Sequence, residues 1–153
     1  MEITRLDDYQ SWMFQAGSTT VVLDPWLEGT CTLPGGAWIF ERRHRVPPAF
    51  TPESLPPLQA LFLSAHFGDH FHEPTLRKLP RDIPTYTTRW AAKRLLKMGF
   101  THVQVVHAGE TIPVTDELHV HTVAPAFPYK HNSLGFVFED QQDLSRVLVE
   151  THG

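Results

Sequence analysis

An unbroken apolar run, Ala60 to Leu63, ends at Ser64-Ala65 and gives way to three histidines and an aspartate in one short loop: His66, Asp69, His70 and His72. A short continuous apolar run of this kind is typical of a strand buried on both faces. Such a strand has neighbours on either side, so the chain must build a layered domain around it. The loop that follows carries the chemistry. Neutral imidazole and carboxylate are ligands for zinc and other first-row metals. The spacing His66-x-x-Asp69-His70 lets several side chains converge on one point from a single tight loop. The plain alternative is a turn in which Asp69 caps the next helix and His70 is exposed.

The rest of the chain is mostly strand-like. Residues 2–6, 11–15 and 19–23 form a meander with Gly17-Ser18 as its turn. Residues 85–87, 102–106, 134–139 and 146–150 are further strands. Residues 118–123 alternate apolar and polar, as a half-buried strand does. Glu73 to Leu79 is a short helix candidate. The clearest helix runs from Thr88 to Met98, with Thr88 as N-cap, Ala91, Ala92, Leu95 and Leu96 on one face, and Gly99 as the stop. Short strands with a few helices indicate a layered α/β or α+β domain. The runs 19–23 and 60–64 are expected to be adjacent central strands, with Asp24 near Asp69.

These features resemble the metallo-β-lactamase superfamily, whose signature is His-x-His-x-Asp-His after a buried strand. The segment 17–27, ending Leu23-Asp24-Pro25, is similar to the family's early strand, and an Asp there hydrogen-bonds the ligand loop. The segment 122–127 is similar to the strand before a ligand His, and 146–153 to the strand that ends at a bridging Asp. The order of the first three strands is similar to the sugar-lactone-hydrolase branch. The resemblance covers nearly the whole chain but only the N-terminal part of the family's domain. The chain also departs from the pattern. With Asp69 and His70 on the final Asp-His, Phe67 and Ala65 stand where the two earlier histidines belong, and His66 lies between them. Pro128 replaces another ligand His, with His131 just beyond, and His152 takes the bridging-Asp position.

The resemblance implies an α/β domain, a four-layer αββα sandwich, incomplete at its C-terminus. It implies zinc or another divalent metal held by His66, Asp69, His70 and His152. Asp69 and His70 are the catalytic pair, and Asp24, His72 and His131 orient the ligands. The implied reaction is hydrolysis of an ester, lactone or phosphodiester through a metal-activated water. The alternative is a degenerate member that keeps the fold and binds without catalysis, as the residues at 65, 67 and 128 suggest.

Segment 28–57 differs in character. It holds Pro34, Pro47, Pro48, Pro52, Pro56 and Pro57, the pair Gly35-Gly36 and little periodicity. Loops of this length tend to be lids or linkers, and Trp38 and Phe40 argue for packing. A third reading makes this segment a protein-interaction module. Its run Arg42-Arg43-His44-Arg45 can meet an anionic substrate group, or be a solvated turn paired with Glu41. The remaining histidines, His44, His102, His107, His119 and His121, have no site-like spacing, and His119 and His121 share one strand face.

At 153 residues the chain is one domain. A net charge of −4 offers no general footprint for nucleic acid or an anionic membrane. Cys31 is the single cysteine, so no internal disulfide forms. No apolar run approaches the ~20 residues that span a bilayer, and the N-terminus lacks a signal peptide's pattern. A cytoplasmic protein with a small-molecule substrate is expected, self-associating through the apolar face that an incomplete domain leaves open.

Overall fold

The computed structural model describes residues 1–32, 41–125 and 132–150. A six-stranded sheet has the order β1-β2-β3-β6-β7-β8, built from β1 (Glu2–Arg5), β2 (Trp12–Ala16), β3 (Thr19–Leu23), β6 (Ala60–Leu63), β7 (Thr85–Thr87) and β8 (Val103–Val105). Strands β1 to β3 are an antiparallel meander, and β3, β6, β7 and β8 run parallel. A second, antiparallel sheet has the order β12-β11-β10-β9, from β9 (Thr111–Pro113), β10 (Leu118–Val123), β11 (Gly135–Asp140) and β12 (Arg146–Val149). Helices α1 (Glu73–Lys78) and α2 (Arg89–Lys97) follow β6 and β7.

Side-chain parity in the central strands divides the core in two. On β6, Leu61 and Leu63 face Leu76, Ala91 and Leu95 of the helices, while Ala60 and Phe62 face Val120, Phe136 and Phe138 of the other sheet. On β3, Val22 joins the helix side, and Val21 and Leu23 join the sheet side. Both strands are buried along their whole length, which is why they read as continuous apolar runs. The described residues thus build three layers of the expected sandwich: helices, sheet and sheet. The adjacency of 19–23 and 60–63 is as expected, with Val22 opposite Leu61.

Three differences from the sequence reading have local causes. The Pro-rich segment contains a two-stranded ribbon, β4 (Thr30–Thr32) with β5 (Glu41–Arg43), too short to show a periodicity. Strand β9 ends in Pro113, tolerated because β9 is an edge. Helix α2 starts and stops where expected, and Gly99 takes φ +90°, but Thr88 makes no side-chain cap hydrogen bond.

The two sheets are joined at a polar rim as well as by the core. Glu117, in the β9–β10 turn region, accepts hydrogen bonds from the Ser18 amide (2.8 Å) and the Thr19 hydroxyl (3.0 Å). The Ser18 hydroxyl, which also donates to it at 2.9 Å, contributes most, and together these bonds hold its carboxyl below the usual range. Within the core, Phe14 and Phe138 stack with ring centroids 3.8 Å apart, one ring from each sheet. Phe138→Ala leaves a cavity that neither sheet can close. We expect a loss of about 3–5 kcal/mol in denaturant unfolding, and a loss under about 1 kcal/mol would contradict this account of the inter-sheet core.

Candidate functional site

Three loops meet at the C-terminal ends of β3 and β6. Asp24 follows β3 with φ +46°, a left-handed conformation that Asp tolerates better than most side chains. Its backbone amide donates to the Phe62 carbonyl at 3.0 Å, which fixes the turn against β6. The carboxylate is turned inward and is 1% exposed as a residue. It accepts from the Ser64 amide at 2.8 Å and from the Ser64 hydroxyl. The same oxygen that meets the hydroxyl, Oδ2, lies 2.9 Å from His70 Nδ1.

That contact sets the imidazole's orientation. A carboxylate only accepts, so the His70 Nδ1 proton points at Asp24. Nε2 then faces the other way, 3.5 Å from Asp69 Oδ2. Metal-ligating histidines are held in this manner, with one ring nitrogen donating to a carboxylate while the other faces the ligand position. The loop itself is a tight turn: the Phe67 carbonyl accepts from the amides of His70 (2.9 Å) and Phe71 (2.7 Å). Arg94 of α2 braces it, donating to the His66 carbonyl and lying 4.0 Å over the Phe71 ring.

A second loop supplies groups that sequence reading did not single out. Asp7 Oδ1 accepts from the amides of Tyr9 and Ser11, both at 2.9 Å, folding residues 7–11 into a turn. The turn presents Gln10 Nε2 2.7 Å from the Asp69 carbonyl and 3.1 Å from His70 Nδ1. The Tyr9 hydroxyl lies 3.4 Å from Asp69 Oδ2. Burial and the Asp69 charge push this phenol's pKa up. The sequence signal for this turn was Asp7-Asp8 between two strands, which marks a turn but not its target.

The remaining expected residues sit as follows. Arg42, on β5 opposite Cys31, places its guanidinium 3.9 Å over the Tyr9 ring. Arg43 is exposed and pairs with Glu41 at 3.4 Å, and Arg45 is exposed with its amide on Asp8. His72 is buried and caps α1: Nδ1 accepts from the Thr75 amide, and Nε2 donates to the Thr30 carbonyl at 3.2 Å. Burial pushes its pKa down, consistent with a neutral ring in a structural position. His66 lies tilted against Phe67, ring centroids 4.4 Å apart, with Nδ1 buried and without a hydrogen-bond partner among the described residues. Burial, then the Arg94 charge, lower its pKa. Among the described residues no three His, Cys, Asp or Glu side chains converge on one point, so His66 does not close the Asp69–His70 pair into a three-ligand group. His131 and His152 lie outside the described residues. His121 pairs with Glu139 across β10 and β11 at 2.6 Å, away from this loop cluster.

A cleft of about 540 Å³ opens beside the pair. Ile3, Trp12, Phe14, Val147 and Val149 form apolar walls, and Tyr9 and Gln10 lie at the end that touches Asp69 and His70.

Cys31 reports on this environment. Its thiol meets the Gly68 carbonyl at 3.2 Å and is fully buried. Burial and then the Asp69 carboxylate push its pKa up to about 11. At pH 8 the thiolate fraction is then on the order of a thousandth, against roughly a quarter for a free cysteine. Maleimide labelling at pH 8 should be at least ~100-fold slower in the folded protein than in guanidinium. Equal rates would show that the loop cluster is open.

No family model matches the chain, and no curated protein matches it. Solved structures do match. An isothiocyanate hydrolase from Delia radicum gut bacteria aligns with TM-score 0.71 and 18% identity, over 92% of this chain and 59% of its own. "A possible metal-dependent hydrolase" from Veillonella parvula aligns at 0.68 and 17%, over 94% and 62%. A metallo hydrolase from Ignicoccus hospitalis aligns at 0.61 and 13%, over 92% and 56%. The chain spans about three-fifths of the length of these neighbours. At such identities the likeness concerns the fold, and it agrees with the expectation from segments 17–27 and 60–72: the chain has the fold of metal-dependent hydrolases of the metallo-β-lactamase type.

Proposed function

We propose that the protein is a metal-dependent hydrolase acting on an ester, lactone or phosphodiester, with Asp69 and His70 at its centre. The observation that carries this reading is the His70 geometry: Nδ1 on buried Asp24 and Nε2 toward Asp69. The pair offers two donors of the types zinc takes. Catalytic zinc sites use three protein ligands and an open position; of the third ligands expected from the sequence, His66 does not close the pair and His152 lies outside the described residues. The chemistry a divalent ion supplies there is Lewis acidity, which makes hydroxide available near neutral pH and polarises a carbonyl or phosphoryl oxygen.

The chain's own residues do the rest. Asp24 keeps the His70 proton on Nδ1, so that Nε2 presents its lone pair toward Asp69. Tyr9 bonds Asp69 and limits its rotation, which fixes the direction in which the carboxylate accepts from an attacking water. Arg42, held on the Tyr9 ring, brings positive charge near the same carboxylate and can meet the charge that develops on the substrate. The cleft beside Tyr9 and Gln10 takes the apolar part of a small molecule and excludes water from it.

Supplied with zinc, the wild type should retain one ion after dialysis, measured by elemental analysis. His70→Ala should lose it, and His119→Ala, on β10, should keep it. Affinity should fall as pH drops through the histidine range, because a protonated imidazole cannot ligate. Wild type without a stoichiometric ion would end the hydrolase reading in favour of a binding protein that keeps the fold, in line with Ala65 and Phe67 at the family's histidine positions.

A further inference from the structure

Strand β12 is an open edge of the second sheet. β11 pairs with one side of it, and among the described residues no strand pairs with the other. Open edges are ordinarily blunted by proline or by charged side chains. Strand β9, at the opposite edge, ends in Pro113. β12 has no such device at its centre, where Leu148 is 59% exposed. Its outward backbone groups can be identified. The Asp140 amide donates to the Ser145 carbonyl at 3.0 Å, and the β11–β12 register continues from there through Phe138 opposite Val147. Antiparallel bonding alternates along a strand. Val147 and Val149 therefore bond to β11, and the amides and carbonyls of Arg146 and Leu148 face the open side.

The sequence of this edge suits one partner. Arg146-Val147-Leu148-Val149-Glu150 has the same apolar centre read from either end, with opposite charges at its two ends. Laid antiparallel on a second copy with Leu148 at the twofold axis, Leu148 meets Leu148, Val147 meets Val149, and Arg146 meets Glu150. Directly opposed residues share a face and interact. The same register brings the outward backbone groups of the two Leu148 residues together. Moving the axis to Arg146 sets two arginines opposite each other, and moving it to Glu150 sets two acids opposite each other. Like charges in that position are destabilising. Arg146 bonds Glu139 through Nε at 3.0 Å, and that bond does not use its terminal nitrogens. The inner face fits as well. Val147 and Val149 border the apolar cleft, whose other wall carries Ile3, 43% exposed on edge strand β1. A second strand beside β12 presents its own Val147 and Val149 on this face and extends the wall.

We propose that β12 is a self-association edge: two copies join by antiparallel β12–β12 pairing centred on Leu148, which fuses their four-stranded sheets into one. The contact is isologous, so each interaction away from the axis occurs twice. One strand pair is a small interface, so the association is reversible and in the micromolar range. It stands independently of metal binding at Asp69 and His70.

Sedimentation velocity of the full chain with a metal chelator, over a micromolar to millimolar dilution series, should show a monomer–dimer equilibrium. Leu148→Lys puts two like charges at the axis and should weaken it at least tenfold, with an unchanged circular dichroism spectrum. Glu150→Lys sets a cation opposite Arg146 and should weaken it at least threefold. Leu96→Lys, at an exposed position on α2, should leave it unchanged. Cross-linking by oxidised glutathione reads the register. Leu148→Cys should cross-link to itself, because opposed hydrogen-bonded residues of an antiparallel pair have Cα atoms about 5.5 Å apart, within disulfide reach. Arg146→Cys should not cross-link alone but should do so when mixed with Glu150→Cys. Cys31 is buried and stays out of the reaction. A monomer across the whole series would overturn the proposal and give the edge to another occupant, such as an extended segment of a different chain. A dimer that withstands Leu148→Lys would place the contact on another face, and self-cross-linking of Arg146→Cys would refute the register. Because metal is absent, neither result bears on the zinc test.

Discussion

The Asp24 carboxylate is the constraint on which the rim of this domain depends. It is a buried acceptor at the junction of two parallel central strands. A buried carboxylate is tolerated only when hydrogen-bonded, because removing it from water is otherwise expensive. Here the Ser64 amide, the Ser64 hydroxyl and His70 Nδ1 all point at it. One group therefore fixes the end of β3, the start of the loop after β6 and the orientation of an imidazole within that loop. Deleting one member of such a set costs roughly 1–3 kcal/mol, since a buried partner is left unsatisfied.

The functional consequence follows from how Asp24 turns the ring. With Nδ1 engaged, the working face of His70 is Nε2, and it looks toward Asp69. The residue 7–11 turn packs against the ring, with Gln10 Nε2 3.1 Å from Nδ1 and 3.4 Å from Nε2 and the Tyr9 hydroxyl on Asp69, and β5 adds Arg42 through the Tyr9 ring. The site is therefore assembled from elements far apart in sequence, all fastened to the sheet rim. Its two flanks differ in chemistry. One is an apolar cleft ending at Tyr9 and Gln10, and the other is a cavity of mixed lining at the start of α2.

Much of the fold was legible because the central strands are buried on both faces. The runs 19–23 and 60–63 have no polar face, and that told both their burial and their adjacency. Asp24 was legible as a partner of the loop through the family resemblance of segment 17–27, since before Pro25 it reads equally as a plain turn residue. Other features were not legible, for physical reasons. β4 and β5 are too short to show alternation. The role of His72 as an N-cap depends on Thr75 lying over it, which spacing alone does not distinguish from a position beside a metal. The contribution of Tyr9 and Gln10 depends on a turn made by Asp7 whose direction is set in three dimensions. Arg42, Arg43 and Arg45 looked equivalent in sequence, and strand parity with a neighbouring ring separates Arg42 from the other two.

The account rests on the direction of one imidazole, and long-range proton–nitrogen correlation NMR of the histidine side chains observes it directly. The neutral His70 ring should carry its proton on Nδ1, exchanging slowly and shifted downfield by the Asp24 hydrogen bond. A neutral ring that carries its proton on Nε2 instead would contradict the account, because His70 would then present no lone pair toward Asp69.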